Sequence, residues 1–370
     1  MLAPFGMRVA LLTGPSGRTS GNVPTIDVLK QCCNLQLLLA PEHGVRGDKA
    51  AGALFADEID ESSGLPVRSL YTKDSKRLSR ETLALFDTLV YDIADVGCRY
   101  YTFLTTLRYC IEDCAAAGKR LVVLDRPNPL GDRVEGGIVR PEVISFVGGY
   151  EMPVCYGLTC GELAEMMNRE LHCGCDLHII PCAGLTRSMT FRDWGHCWVM
   201  PSMGIPRFET ALLYPGTCLI EGTNCSEGRG TGDPFGIIGA PFIQAETFCK
   251  AFNALGCPGL EATPVYFTPT ASKHQGVLCG GIQLHILNET VLEPVAMGVR
   301  LLDLLRRMYP KDFAFLPPVR EDGKIFLSLL AGHRDFEKPD WDADALLARY
   351  AEESARFRPR KAAYERYPKE

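Results

Sequence analysis

Five short apolar runs, each stopped by a breaker or a charged residue, punctuate the first third of the chain. They are Arg8–Thr13, Leu35–Ala40, Leu65–Tyr71, Thr88–Ile93 and Arg120–Leu124. Runs this short, bounded by Gly, Pro or Asp, read as buried strands rather than free-standing helices. Between them, Thr25–Cys33, Ser79–Phe86 and Thr102–Ala117 read as helices, the last with Leu104, Leu107 and Ile111 at core spacing and a stop at Gly118. Strand–helix alternation of this kind implies a parallel sheet wound in the Rossmann manner, with ligands held just beyond the carboxyl ends of the strands.

The residues behind each run are therefore the first place to look for chemistry. Leu35–Ala40 delivers Pro41 and then Glu42, His43 and Arg46, on a loop made supple by Gly44 and Gly47. Thr88–Ile93 delivers Asp92 and Asp95, followed by Arg99, Tyr100 and Tyr101. Arg120–Leu124 delivers Asp125, Arg126 and Asn128. Any one of these is as readily a solvated loop, with Glu42 and Arg46 an ordinary surface pair. Three strand ends carrying acids beside arginines favour a cleft. The turn after the first strand, G-P-S-G, has neither the G-x-G-x-x-G spacing nor a P-loop lysine, so it speaks only weakly for a nucleotide. Residues 48–64 are long, polar and partly acidic, suited to a flap.

Past residue 141 the rhythm changes. Leu158–Leu171 is a helix opened by a capping box, Thr159 with Glu162, which makes Glu162 a cap rather than a catalyst. Asp176–Pro181 is a strand. Residues 221–234 replace periodic structure with Gly, Thr, Ser and Asn, punctuated by Glu221, Asn224 and Arg229; backbone donors and hydroxyls in such numbers suit a polyol or an anion. Strands over Val265–Thr268 and Gly281–Leu287, a helix over Pro294–Met308 and a charged helical tail from Ala343, lying along the surface, follow. The expected organisation is a Rossmann-like domain over residues 1–141 and a second, smaller α/β domain over residues 142–370, with a cleft between them.

Composition narrows the function classes. A formal net charge of −6 over 370 residues argues against a nucleic-acid binder, which would present a basic face. No apolar run reaches the length of a membrane span. The brief run Val9–Leu12 is too short for a signal-peptide core, so a cytoplasmic location is expected. Sixteen cysteines are scattered without C-x-x-C or paired zinc spacing and read as mostly buried thiols; Cys173, Cys175 and Cys182 come nearest to a ligand set, yet no metal and no cofactor is expected. A homodimer is an admissible assembly.

The segments E-H-G-V-R-G, Y-D-I-A-D-V-G-C-R-Y-Y-T, L-D-R-P-N-P-L-G, G-L-T-C-G-E-L-A, Y-P-G-T-C-L-I-E-G-T-N-C-S-E-G-R-G-T and G-A-P-F together resemble the exo-β-N-acetylmuramidase family. The resemblance runs from about Met7 to about Tyr367. It implies a Rossmann-like domain and a C-terminal domain with the active site between them. It also implies hydrolysis of terminal N-acetylmuramic acid from peptidoglycan fragments such as MurNAc–GlcNAc. By this resemblance Glu42 is the leading catalytic carboxylate, with Asp92, Asp95 and Glu221 as candidates for a second one. His43 would tune Glu42 or hold the sugar. Arg46, Arg99, Arg126 and Arg229 are available for the lactyl carboxylate, Asn128 and Asn224 for hydroxyls, and Tyr100 or Tyr101 for a sugar face. The chain departs from the family pattern after Pro201-Ser202, where Met203-Gly204-Ile205-Pro206-Arg207 stands in place of the usual P-N-M-P-T; that bears on substrate preference. Exported members carry a signal peptide. A non-catalytic muropeptide or anionic-sugar binding protein is the alternative reading.

Overall fold

In the computed structural model, residues 7–50, 52–73, 75–318 and 323–370 are described. The apolar runs become β1 (Val9–Thr13), β2 (Leu35–Ala40), β4 (Pro66–Ser69), β5 (Thr88–Asp92) and β6 (Arg120–Leu124), with the two-residue β3 (Glu58–Ile59) inside the polar segment before β4. A sixth parallel strand, β9 (Asp176–Ile180), comes after the two-stranded antiparallel ribbon β7 (Val134–Glu135) and β8 (Cys155–Tyr156). The sheet order is β3-β4-β2-β1-β5-β6-β9, parallel throughout except for β3 on the edge. Counting only parallel strands, this is the 3-2-1-4-5-6 order of dinucleotide-binding folds, with its switch point between β1 and β5. β9 pairs with β6 from Arg120–Asp176 to Leu124–Ile180, so the sheet continues well past residue 141 and a division there would cut it.

Strands buried on both faces explain the runs. Ala10 and Leu12 of β1 point into one core and Val9 and Leu11 into the other, all fully buried. The first face is covered by α3 (Phe103–Ala116) and α4 (Cys160–Glu170), the second by α1 (Thr25–Cys32). The short α2 (Arg80–Leu83) is capped by the Ser79 hydroxyl. Thr159 and Glu162 form the expected capping box on α4, and Glu162 also accepts from Arg187 at 2.7 Å.

The second unit is built on the antiparallel sheet β10-β12-β11, made of β10 (Ile237–Ala240), β11 (Leu260–Phe267) and β12 (Cys279–Ile286). It carries α5 (Phe208–Thr217), α6 (Ala245–Asn253), α7 (Pro294–Met308) and α8 (Phe326–Ala331). α5 and α7 cross with backbones in contact: a Cβ on Gly216 would lie 1.9 Å from the Pro294 carbonyl oxygen, which only glycine avoids. The tail helix α9 (Ala343–Ala362) does more than lie along the surface. Its Glu353 and Lys361 are buried; Lys361 bonds Asp132, Glu353 takes the Ile138 N–H, and beyond the helix the Tyr367 hydroxyl donates to Asp125 at 2.5 Å. The end of the chain thus straps the second unit back onto the first. All sixteen cysteines are free thiols, eleven of them buried, as small hydrophobes would be.

Candidate active site

The loop after β2 turns sharply. His43 stands at φ 74° and Gly44 at φ 78°, and a left-handed histidine is a strained arrangement that the surroundings must hold in place. The turn presents the Glu42 carboxylate to two neutral donors. Gly52 N–H donates to Oε1 at 2.9 Å, and the Thr102 hydroxyl, at the start of α3, donates to Oε2 at 2.6 Å. Glu42 makes no ion pair among the described residues. Around it stand Tyr71, whose hydroxyl is pushed up to about 12 by burial and by the Glu42 charge, and Lys76, whose ammonium sits 3.4 Å over the Tyr71 ring. Burial lowers the Lys76 pKa, against the pull of Glu42. His43 is driven the same way, below its usual value, by burial and by the Arg229 cation, with Glu42 and the Lys49 carbonyl opposing, so the imidazole is neutral at pH 7.

An aromatic wall joins this loop to the second unit. His43 meets Phe103 edge-on at 6.3 Å, Phe103 meets Tyr101 at 4.8 Å, Tyr101 meets Tyr214 at 6.1 Å, and Tyr214 meets Phe235 at 4.8 Å. At its far end the Arg229 guanidinium lies 4.9 Å over Phe235. Arg229 donates from Nε (3.0 Å) and Nη2 (2.7 Å) to Glu221 Oε1, and Glu227 Oε1 is 3.3 Å from Nε. Burial acts against its charge, but the two carboxylates outweigh that and leave the guanidinium more basic than usual. Nη1 donates no hydrogen bond among the described residues. Glu227, 2% exposed, is also 2.9 Å from Lys273 Nζ, whose other contacts are the carbonyls of Ile220 and Thr223. The result is a carboxylate and a neutral imidazole from one unit facing an oriented cation from the other.

The remaining sequence candidates are committed elsewhere. Arg46 does not pair with Glu42; it forms a fork with Asp60 at 2.8 and 2.7 Å and holds that carboxyl well below its usual range. Arg99 is fully buried and donates to four backbone carbonyls, those of Gly137, Met152, Leu330 and Ala331, at 2.7–3.0 Å. It is a staple between units, not a substrate contact. Tyr100 is core, its hydroxyl on the Pro215 carbonyl at 3.1 Å. Tyr101 is the tyrosine that reaches the wall, beside Ser202, with its hydroxyl driven upward by burial. Arg126 is bound to Asp92, which is fully buried, and to the Arg18 carbonyl. Asn128 braces its own loop through Leu130 N–H and the Leu158 carbonyl. Asn224 clasps Ala314 N–H and the Asp312 carbonyl. Asp95 is buried against the Tyr156 hydroxyl and Gly97 N–H, which lower its pKa less than desolvation raises it, leaving it at about 6.

Of the thirteen candidates, the structure therefore gathers Glu42, His43, Tyr101, Glu221 and Arg229. Residues passed over in the sequence complete the group: Tyr71, Lys76, Thr102, Tyr214, Glu227 and Lys273. Only Glu227 had a visible signal, since it sits two residues before Arg229 in the glycine-rich segment. A separate cavity of about 720 Å³ opens at the β1/β5 switch point, lined among others by Ser16, Thr25, Asp95, Arg126, Cys182 and Trp198. Glu42, His43 and Arg229 are not part of its lining, which instead includes Asp95, Asp125 and Arg126.

Fold and cluster together define a two-unit α/β protein with a carboxylate–imidazole site at the seam. Comparison with known proteins is more specific. A family model described as exo-beta-N-acetylmuramidase NamZ, N-terminal, matches residues 9–209, and its C-terminal counterpart matches residues 212–367. The chain belongs to the exo-beta-N-acetylmuramidase NamZ family. It is 43% identical over 314 residues to the peptidoglycan beta-N-acetylmuramidase NamZ of Bacillus subtilis, covering 84% of this chain and 76% of that protein. Crystal structures of two DUF1343 family proteins from Bacteroides fragilis are similar throughout. One has a TM-score of 0.87 at 32% identity over 99% of this chain and 95% of that one; the other has 0.77 at 28% over 100% and 96%.

Proposed function

We propose that the protein is an exo-acting glycosidase that releases N-acetylmuramic acid from the non-reducing end of peptidoglycan fragments such as MurNAc–GlcNAc, in cell-wall turnover. The observation that carries this reading is Glu42, a carboxylate held by two neutral donors and no cation, just past a strand's carboxyl end. Glycosidic cleavage needs a carboxyl group that protonates the departing oxygen. In the proposed step the bond from the anomeric carbon to the bridging oxygen breaks while Glu42 gives that oxygen its proton. Water then adds to the anomeric carbon and returns a proton to Glu42, so that one water is consumed per bond cleaved. Neutral His43 is placed to hydrogen-bond a sugar hydroxyl. Arg229, oriented by Glu221 and Glu227, supplies a cation for the lactyl carboxylate, the one anionic group of the sugar. The route calls for no metal or redox cofactor. Sixteen free thiols support a reducing compartment as its location.

The test is chromatography of MurNAc–GlcNAc incubated with the purified protein, in which free MurNAc and GlcNAc are expected in equal amounts. Saturable binding of the disaccharide with no release of either sugar would instead make this a muropeptide-binding protein.

A further inference from the structure

The cavity at the β1/β5 switch point is a second place where a ligand fits. At about 720 Å³ it has the size of a small-molecule site, and doubly wound sheets bind their ligands at that point. A nucleotide does not suit it. In dinucleotide folds the phosphates sit at the turn between the first strand and its helix. Here Gly17, in that turn, lies against a carboxylate: a Cβ built on it would be 3.2 Å from Oδ2 of the fully buried Asp92. Two guanidiniums belong to the lining, and both are engaged. Arg126 is paired with Asp92 and donates to the Arg18 carbonyl, while Arg18 donates to the carbonyls of Pro15 and Asn22. Asp95, Asp125 and Asp193 add three carboxyls to the same lining, so the cavity opposes an anion.

A neutral, hydroxylated ligand suits it better. Trp194 and Trp198 are half-buried in the lining, each edge-on to Phe191 at 5.3 and 4.9 Å, and the Trp198 indole is fixed by the Ile205 carbonyl at 3.1 Å. Asp95 Oδ1 and the Trp194 indole N–H, an acceptor and a donor, have no hydrogen-bond partner among the described residues. Hydroxyl groups can serve both, since each donates and accepts. The cavity also adjoins the Glu42 loop. Ser16 lines it, and the preceding Pro15 would be 2.5 Å from a Cβ on Gly47; Pro201 lines it, and the following Ser202 stands beside Tyr101.

We propose that this cavity is a second sugar site, for the neutral GlcNAc units of the fragments whose anionic sugar goes to Arg229. The choice of GlcNAc rests on the exo-muramidase reading above. The experiment is calorimetry with chitobiose, NAD and inorganic phosphate on wild type, Ala183→Trp and Trp194→Ala, with a thermal melt of each. Ala183 is exposed in the lining, so tryptophan there fills the cavity, whereas Trp194→Ala removes an aromatic face. Wild type is expected to bind chitobiose saturably and to give no binding heat with NAD or phosphate. Each variant is expected to lose at least about tenfold in chitobiose affinity, yet to cleave an aryl MurNAc glycoside, which carries no GlcNAc, within about threefold of wild type. Chitobiose affinity unchanged in either folded variant, no chitobiose binding to wild type, or saturable binding of NAD or phosphate that Ala183→Trp abolishes would overturn the proposal. A wild type that binds chitobiose but cleaves no muramoside would refute only the exo-muramidase reading.

Discussion

Glu42→Gln separates a catalytic carboxylate from a structural one, because the surroundings of Glu42 let an amide replace it almost without loss. Gly52 N–H can only donate, so the amide oxygen must take that bond. The amide NH2 then faces the Thr102 hydroxyl, which can rotate from donor to acceptor. Both contacts survive, as neutral bonds instead of charge-assisted ones. Neutral hydrogen bonds contribute about 0.5–1.5 kcal/mol against about 1.5–3 for charged ones, so the fold loses roughly 1–3 kcal/mol at most. Activity responds on another scale. The amide has no acidic proton to give, and general acid–base catalysis contributes typically about 10²–10⁴-fold, equivalent to about 3–5 kcal/mol of barrier. The expected result is a variant melting within a few degrees of wild type, with unchanged substrate binding by calorimetry and kcat for MurNAc–GlcNAc reduced at least about 100-fold. A well-folded variant that keeps more than about a tenth of wild-type kcat would remove Glu42 from the reaction, since no acid–base role is that small.

Arg229→Ala should reduce kcat/KM on MurNAc–GlcNAc far more than on a GlcNAc-terminated analogue, whereas Arg46→Ala, which frees only Asp60, should leave both rates within about twofold; steady-state kinetics on the two substrates would expose the opposite ranking. Arg99→Met leaves four buried carbonyls without donors, each costing about 1–3 kcal/mol, and should yield a protein that is insoluble or melts many degrees lower with no selective effect on substrate binding. Asp95 gives a pH prediction. Its folded value, about 6, lies above its unfolded value near 3.9, so the proton is held more tightly in the native state. Its contribution to stability is therefore present below about pH 4 and is lost as the pH rises through 6; Asp95→Asn should gain on wild type across that window, by roughly 3 kcal/mol in chemical denaturation, and a constant difference from pH 4 to 7 would contradict the assignment.

The fold was legible where burial on both faces forces continuous apolar runs. β1, β2, β5 and β6 were found within one residue of their ends, as was α7. It was hidden where context outweighs pattern. α5 is buried on nearly every side and carries Pro215, so it shows neither a polar stripe nor a clean end. β9 reads like a strand of any sheet, and nothing in its residues tells which neighbour it will pair with; hence the misplaced division at 141. The positions of Glu42 and His43 were legible for the opposite reason. They follow a strand immediately, so topology alone brings them to the carboxyl edge.

The arginines show where such reasoning stops. Each of the four candidates has an acid within about four residues: Glu42 for Arg46, Asp95 for Arg99, Asp125 for Arg126 and Glu227 for Arg229. In all four the main partner is something else. Arg46 turns to Asp60, Arg126 to Asp92 and Arg99 to carbonyls as far as 232 residues away, while Arg229 keeps Glu227 only as a secondary contact to Glu221. A guanidinium reaches far from its Cα and has five donors to satisfy, so the fold around it, not its neighbours in the chain, decides where it points. Of the four, Arg229 is the one whose charge bears on the His43 imidazole, and it is this proximity across the seam, not any neighbour in the sequence, that singles it out.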